Sequence, residues 1–161
     1  EGAYVRPIPL PGCLPVAVAA RAPSLLALVA AHADLWDVNL PPVRARVRTA
    51  AAALARACEE RQRAPGALGR TMWIFTRASR HGPDTATLRA EFRRLNPWFA
   101  AIPEAELAEG LVAGPAAACR ARREEIREEL GVGLPVVDLS GLPEGQAADQ
   151  MEALAAAPNL R

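Results

Sequence analysis

Pro15-Val16-Ala17-Val18-Ala19-Ala20-Arg21-Ala22-Pro23-Ser24 is the stretch whose reading decides the fold. From Leu14 to Ala20 the chain is a short, unbroken apolar run, as in a strand buried on both faces. Pro23-Ser24 then opens a helix through His32 that is apolar on nearly every side. Proline fits there because the first helical turn has no intrahelical partner for its missing N–H. A strand that runs into a helix through a turn of small residues is the unit from which parallel sheets are built.

The same order repeats downstream. Ala33-Asp34-Leu35-Trp36-Asp37-Val38 is a second short strand, and Pro41-Pro42 is expected to start a long helix. Along that helix Val43, Val47, Ala50, Leu54 and Cys58 make an apolar stripe, and Arg44, Arg48, Arg56 and Glu59 lie mostly off it. Thr71-Met72-Trp73-Ile74-Phe75-Thr76 is the clearest strand, rich in β-branched and aromatic side chains. A loop at Arg80-His81-Gly82-Pro83 follows, then a helix capped by Asp84 and stopped at Asn96-Pro97. After a short helix from Pro103 to Glu109 and an apolar segment Leu111-Val112-Ala113, Gly114-Pro115 starts a helix that ends at Gly131 or Gly133. Leu134 to Leu139 is the last strand, and a helix from about Gln146 to Ala157 closes the chain.

Four strand–helix units imply parallel pairing through right-handed crossovers, an α/β chain. Closing a barrel takes about eight such units. Four leave open sheet edges and an uncovered apolar face. Another half upstream, a pair of copies, or a small open sheet are the three ways out. Residues 1–14, with Pro7, Pro9 and Pro11, read as an irregular lead-in, and residues 15–161 as the α/β unit.

Composition excludes several partners. The 161 residues are 51% apolar with a formal net charge of +1, enough for a core and too little for a nucleic-acid footprint. Cys13, Cys58 and Cys119 are far apart and odd in number, with only His32 and His81 to add imidazole, so neither a metal site nor a disulfide framework is expected. No apolar stretch approaches the ~20 residues that span a bilayer. A cytoplasmic protein acting on a small molecule, without nucleic-acid or membrane partners, is the expectation. No carboxylate and nucleophile attend either histidine, which leaves hydrolase chemistry unsupported.

The stretch from Pro15 to Ser24, continued by Leu28-Val29-Ala30-Ala31-His32-Ala33-Asp34-Leu35-Trp36, resembles the luciferase-like monooxygenase superfamily. So do Leu111-Val112-Ala113-Gly114-Pro115 at a helix start, Gly131-Val132-Gly133 before the strand to Asp138, and the close at Met151-Glu152-Ala153-Leu154 and Pro158-Asn159-Leu160-Arg161. Ala20-Arg21-Ala22 stands where relatives often have two glycines, and Leu35 where glycine is usual. The resemblance spans nearly the whole chain. It implies a partial TIM barrel, strands five to eight of a (β/α)8 barrel, with the N-terminal half-barrel missing. It also implies a flavin- or deazaflavin-dependent oxidoreductase using FMN or a deazaflavin coenzyme. The alternative is a non-catalytic half-barrel that pairs with itself or with a partner chain.

Barrel sites sit at the C-terminal ends of strands, which selects the candidates. At Ala20, Arg21, Ala22 and Ser24 a strand feeds a helix N-terminus, whose free N–H groups and dipole attract an anion. Arg21 adds a charge-assisted donor. The resemblance implies that this turn contacts the coenzyme phosphate. Trp36, Asn39, Thr76, Arg77 and Asp138 end the other strands and are the candidate substrate pocket. The catalytic residues fall outside this reading. Trp98-Phe99 is expected to plug the barrel mouth, with a lid over the cavity as the alternative.

Overall fold

The computed structural model describes residues 14–80 and 83–155. The proline-rich lead-in up to residue 13, His81 and Gly82, and the closing residues 156–161 lie outside the described residues.

The chain alternates strand and helix as its sequence demands. β1 (Ala17–Ala19), α1 (Pro23–His32), β2 (Leu35–Asp37), α2 (Arg44–Glu59) and β3 (Gly69–Ala78) are followed by α3 (Thr85–Leu95) and α4 (Glu104–Glu109). Then come β4 (Val112–Gly114), α5 (Ala116–Leu130), β5 (Leu134–Asp138) and α6 (Glu144–Ala155). Every pairing is parallel. β1 pairs β2, β2 pairs the start of β3, β5 pairs the middle of β3, and β4 pairs its end. The sheet therefore has five strands, one more than the sequence reading, because the apolar segment at 111–113 pairs as β4.

Two other readings are corrected. β1 is not buried on both faces: Leu14 and Val16 are 68% and 48% exposed, and only Val18 packs against the helices. It pairs on one side alone, and nothing described lies over its other face. The long helix begins at Arg44, after the prolines at 41 and 42. A residue preceding proline is pushed out of the α region, which keeps Leu40 and Pro41 outside the helix, and the Val43 amide donates to the Pro41 carbonyl at 2.6 Å.

Strand alternation divides the side chains into two layers. Val18, Trp36, Met72, Ile74 and Val137 face the helices and pack with Leu26, Val29, Leu54, Cys58, Cys119 and Ile126. Each fully buried aliphatic or aromatic side chain contributes about 1.5–3 kcal/mol there. The opposite row is aligned by register: Ala19 beside Asp37, Asp37 beside Thr71, Val136 beside Trp73, and Asp138 beside Phe75. This inner row is open. Trp73 is 55% and Leu134 54% exposed. A second cluster, built on Phe75, Phe92, Phe99, Ile102 and Leu107, sits where α3 and α4 pack at the sheet's C-terminal end.

Asp84 caps α3 as its sequence predicts. Its Oδ1 accepts from the amides of Ala86 and Thr87 at 2.9 and 3.0 Å, and its Oδ2 from the Thr87 hydroxyl at 2.5 Å. The Thr87 hydroxyl above all, then the Thr87 amide, holds the Asp84 carboxyl below its ordinary value. A carboxylate with a depressed folded-state pKa stabilises above its unfolded-state pKa, and that contribution is lost as pH falls through the folded value. The protection of the Ala86 and Thr87 amides against exchange, relative to the intrinsic rate at each pH, is expected to fall on acidification through that range. In Asp84→Ala exchange is already fast at neutral pH, and the acid step disappears.

Candidate active site at the C-terminal mouth of the sheet

The inner row ends in a cavity. About 240 Å³ lies at the C-terminal ends of β2, β3 and β5, walled by Trp73, Phe75, Phe92, Trp98 and Phe99 and edged by Asp37, Asn39, Asn96 and Asp138. Its position follows from pleat and register. Asp37 and Asp138 are the last residues of β2 and β5, both on the inner face, and Phe75 lies beside Asp138. α3 supplies Phe92, and the one-turn helix Pro97–Phe99 supplies the remaining wall. The rings interlock: Phe75 and Phe92 meet edge to face at 5.3 Å, and Phe92 stacks on Phe99 at 5.9 Å. Trp98 and Phe99 part company. Phe99 is 7% exposed and forms part of the cavity wall, whereas Trp98 is 58% exposed at the rim.

Each aspartate is held by a local turn. Asp37 Oδ1 accepts the Asn39 amide at 3.1 Å, and Asp138 Oδ1 accepts the Ser140 amide at 2.9 Å. Asn39 has φ of 48°, in the left-handed region where asparagine is tolerated better than most residues.

Of the five candidate pocket residues, the structure brings Asn39 and Asp138 to this cavity and places Trp36, Thr76 and Arg77 elsewhere. Trp36 is 1% exposed in the helix-side layer, where its indole N–H donates to the Ala20 carbonyl at 2.8 Å and Arg70 lies over its ring. Thr76 shares the parity of Ile74, faces the helices, and donates its hydroxyl to the Ile74 carbonyl at 2.9 Å. Arg77 has the inward parity, but its guanidinium is consumed by the strand ends. It donates to the carbonyls of Thr76, Asp138 and Ser140 at 2.8, 3.3 and 2.5 Å, and twice to Glu91 Oε1 at 3.1 and 2.8 Å. Its plane lies 3.9 Å from the Phe75 ring centre, so it braces a cavity wall from behind. Asp37, which the sequence reading placed among the strand-end candidates between Trp36 and Asn39, also lines the cavity, whereas Trp73, Phe75 and Phe92 were missed as cavity residues. Alternation within Thr71 to Phe75 already placed two of them on one face.

The turn at residues 20–24 joins β1 to α1. α1 has no side-chain cap; Ala22 is its N-cap residue and Pro23 occupies the first helical position. Ser24 is exposed. Arg21 rests over the Phe99 ring at 5.2 Å and, with Arg46 and Thr49, lines a separate groove of about 510 Å³ between the N-terminal turns of α1 and α2. Arg46 is paired with Glu106 at 2.6 Å, whereas no carboxylate is within ion-pair distance of Arg21 among the described residues. Among the described residues no group of three or more metal-ligating side chains occurs, and no helix is long and apolar enough to cross a membrane. Cys119 is no nucleophile in waiting: burial pushes its thiol up, and its Sγ donates to the Gly114 carbonyl at 3.4 Å.

No protein-family model matches the chain, and no curated protein matches its sequence. Solved structures do. EDTA monooxygenase from Chelativorans sp. BNC1 superposes with a TM-score of 0.62 at 13% identity, over 96% of this chain and 48% of that one. Long-chain alkane monooxygenase LadA gives 0.61 at 11% identity, over 86% and 39%. The coenzyme F420-dependent tetrahydromethanopterin reductase of Methanopyrus kandleri gives 0.58 at 16% identity, over 87% and 49%. This chain thus spans under half the length of each of these three. Its parallel α/β sheet has the fold of part of the barrel of luciferase-like monooxygenases and reductases.

Proposed function

We propose that this chain is strands five to eight of a luciferase-like oxidoreductase barrel, and that its C-terminal mouth holds FMN or a deazaflavin coenzyme together with part of the substrate pocket. The observation that carries the reading is the uncapped N-terminus of α1 with Arg21 beside it, adjoining an aromatic cavity at the strand ends. An isoalloxazine-type coenzyme has an anionic tail and a flat aromatic head, and the two features differ in the same way.

The residues present fit such a group. The backbone at Ala20, Arg21 and Ala22 and the hydroxyl of Ser24 would hold the phosphate. The N-terminal amides of a helix supply about 0.3–1 kcal/mol to an anion at an exposed end, and an arginine donor about 1.5–3 kcal/mol. The ring would lie against the open inner row of the sheet beside the cavity, and the cavity, with Asn39 and Asp138 at its edge, would take one end of a small-molecule substrate. When bound, the coenzyme supplies hydride or electron transfer, and protein groups supply binding and orientation. The rings of Phe75, Phe92 and Phe99 keep water from one side of the mouth.

Arg21→Ala tests the assignment. In the protein that carries this chain, FMN or deazaflavin affinity is expected to fall about tenfold, or ~1.4 kcal/mol, read by quenching of coenzyme fluorescence on titration. Unchanged affinity removes Arg21 from the site. A second reading, a non-catalytic half-barrel that pairs with itself or a partner, is favoured by the exposed inner face at Trp73 and Leu134. It predicts no coenzyme binding at all.

A further inference from the structure

We infer that the cavity at the sheet's mouth takes an organic ammonium, so that the substrate carries a positively charged nitrogen beside an apolar body. The inference rests on the proposed function only in taking this cavity as the place where the substrate sits.

Charge and wall chemistry point the same way. Asp37 and Asp138 line the cavity, and no lysine, arginine or histidine does among the described residues. Each carboxylate has one oxygen fixed by a backbone amide, so its direction is set before any ligand arrives. The nearby cations are turned away. Arg77 lies behind Phe75 with its donors taken by Glu91 and three carbonyls, and Arg21 lies against Phe99 on the side of the separate groove. Five of the eleven lining residues are aromatic, and Trp73 and Trp98 are exposed enough to receive a ligand. A cation over a ring face is attracted by the ring quadrupole, most strongly for tryptophan. Two carboxylates with no balancing base repel an anionic group and reward a cationic one. At about 240 Å³ the cavity suits one end of a small molecule and not a long polar chain.

The test is a tryptophan-fluorescence titration of the protein with three probes of similar shape: 2-phenylethylammonium, 2-phenylethanol and phenylacetate. The ammonium is expected to saturate and to bind at least tenfold more tightly than the alcohol, with no saturation by phenylacetate. Asp37→Asn and Asp138→Asn each weaken the ammonium severalfold and leave the alcohol unchanged, whereas Asp149→Asn on the exposed face of α6 has no effect. Added salt weakens ammonium binding to the unaltered protein, a readout that needs no variant to fold. Equal affinity for ammonium and alcohol, or saturable binding of phenylacetate, overturns the inference. A parallel FMN and deazaflavin titration separates the two claims. Ammonium binding without coenzyme binding defeats the proposed function alone, and coenzyme binding without ammonium selectivity defeats this one alone.

Discussion

Replacing Arg77 by alanine is expected to cost about 3–5 kcal/mol of folding stability, the range for removing one partner of a buried ion pair. Arg77 is 4% exposed, and its side chain makes five hydrogen bonds that tie the end of β3 to β5, to the turn at Ser140 and to α3. Parallel strands that stop at a barrel mouth leave carbonyls pointing at nothing, and a guanidinium with five donors in a fixed fork can satisfy three of them at once. Glu91 supplies the opposite charge at 2.8 Å, itself only 24% exposed at the side chain. Truncation strands that carboxylate, orphans the carbonyls of Thr76, Asp138 and Ser140, and unseats Phe75 from its cation. Lysine does not rescue, because a single ammonium cannot bridge the same span. Denaturant unfolding of Arg77→Ala and Arg77→Lys measures the loss. Arg77→Ala together with Glu91→Gln should recover part of it, since the stranded charge is then gone. A cost below about 1 kcal/mol would mean that the clamp is incidental.

Arg77 also marks the limit of what the sequence discloses. Periodicity found the elements because each is decided locally: Asp84 caps α3 by accepting from the amides of Ala86 and Thr87, and Gly131 ends α5 at φ of 61° as a left-handed C-cap. The βα order followed, and with it the parallel sheet. Side-chain destinations at the strand ends were less accessible. Arg77 and Asp138 are 61 residues apart, and whether an arginine faces solvent, substrate or carbonyls depends on which strand arrives beside it. Trp36 and Thr76 misled for a simpler reason. Each is one residue out of phase with the inner row, since Asp37 pairs Thr71 in the inward register and Trp36 pairs Arg70. A one-residue shift in a strand exchanges the two faces. One further difference had the same origin. β4 is only three residues long, and its pairing to the end of β3 is a tertiary event that an apolar tripeptide does not announce.

The 161-residue chain, supplied with FMN and a reductant, is expected to turn over at least about a hundredfold more slowly than a closed barrel built on it, because small displacements of reacting groups alone cost that much. Among the described residues its inner face has no opposite wall. Trp73 and Leu134 are 55% and 54% exposed, and the cavity is bounded on one side by aromatic rings and on the other by solvent. Water in such a site weakens every electrostatic interaction in it and gives reactive species a way to decay. On the proposed function the α1 terminus would seat the coenzyme tail, so binding without turnover is the expected combination: affinity would reside at that terminus, and catalysis would need an enclosure that these five parallel strands do not complete. The solved structures that share the fold are matched over less than half of their own length. Stopped-flow oxidation of reduced coenzyme with product detection is the measurement. Acrylamide quenching of Trp73 emission reports the physical cause, since quenching should fall when a complementary half-barrel is added and turnover should rise with it. Turnover of ~10 per second from this chain alone, the ordinary enzymatic range, would mean that the open face is closed in solution by another copy and that the site is complete in the assembly.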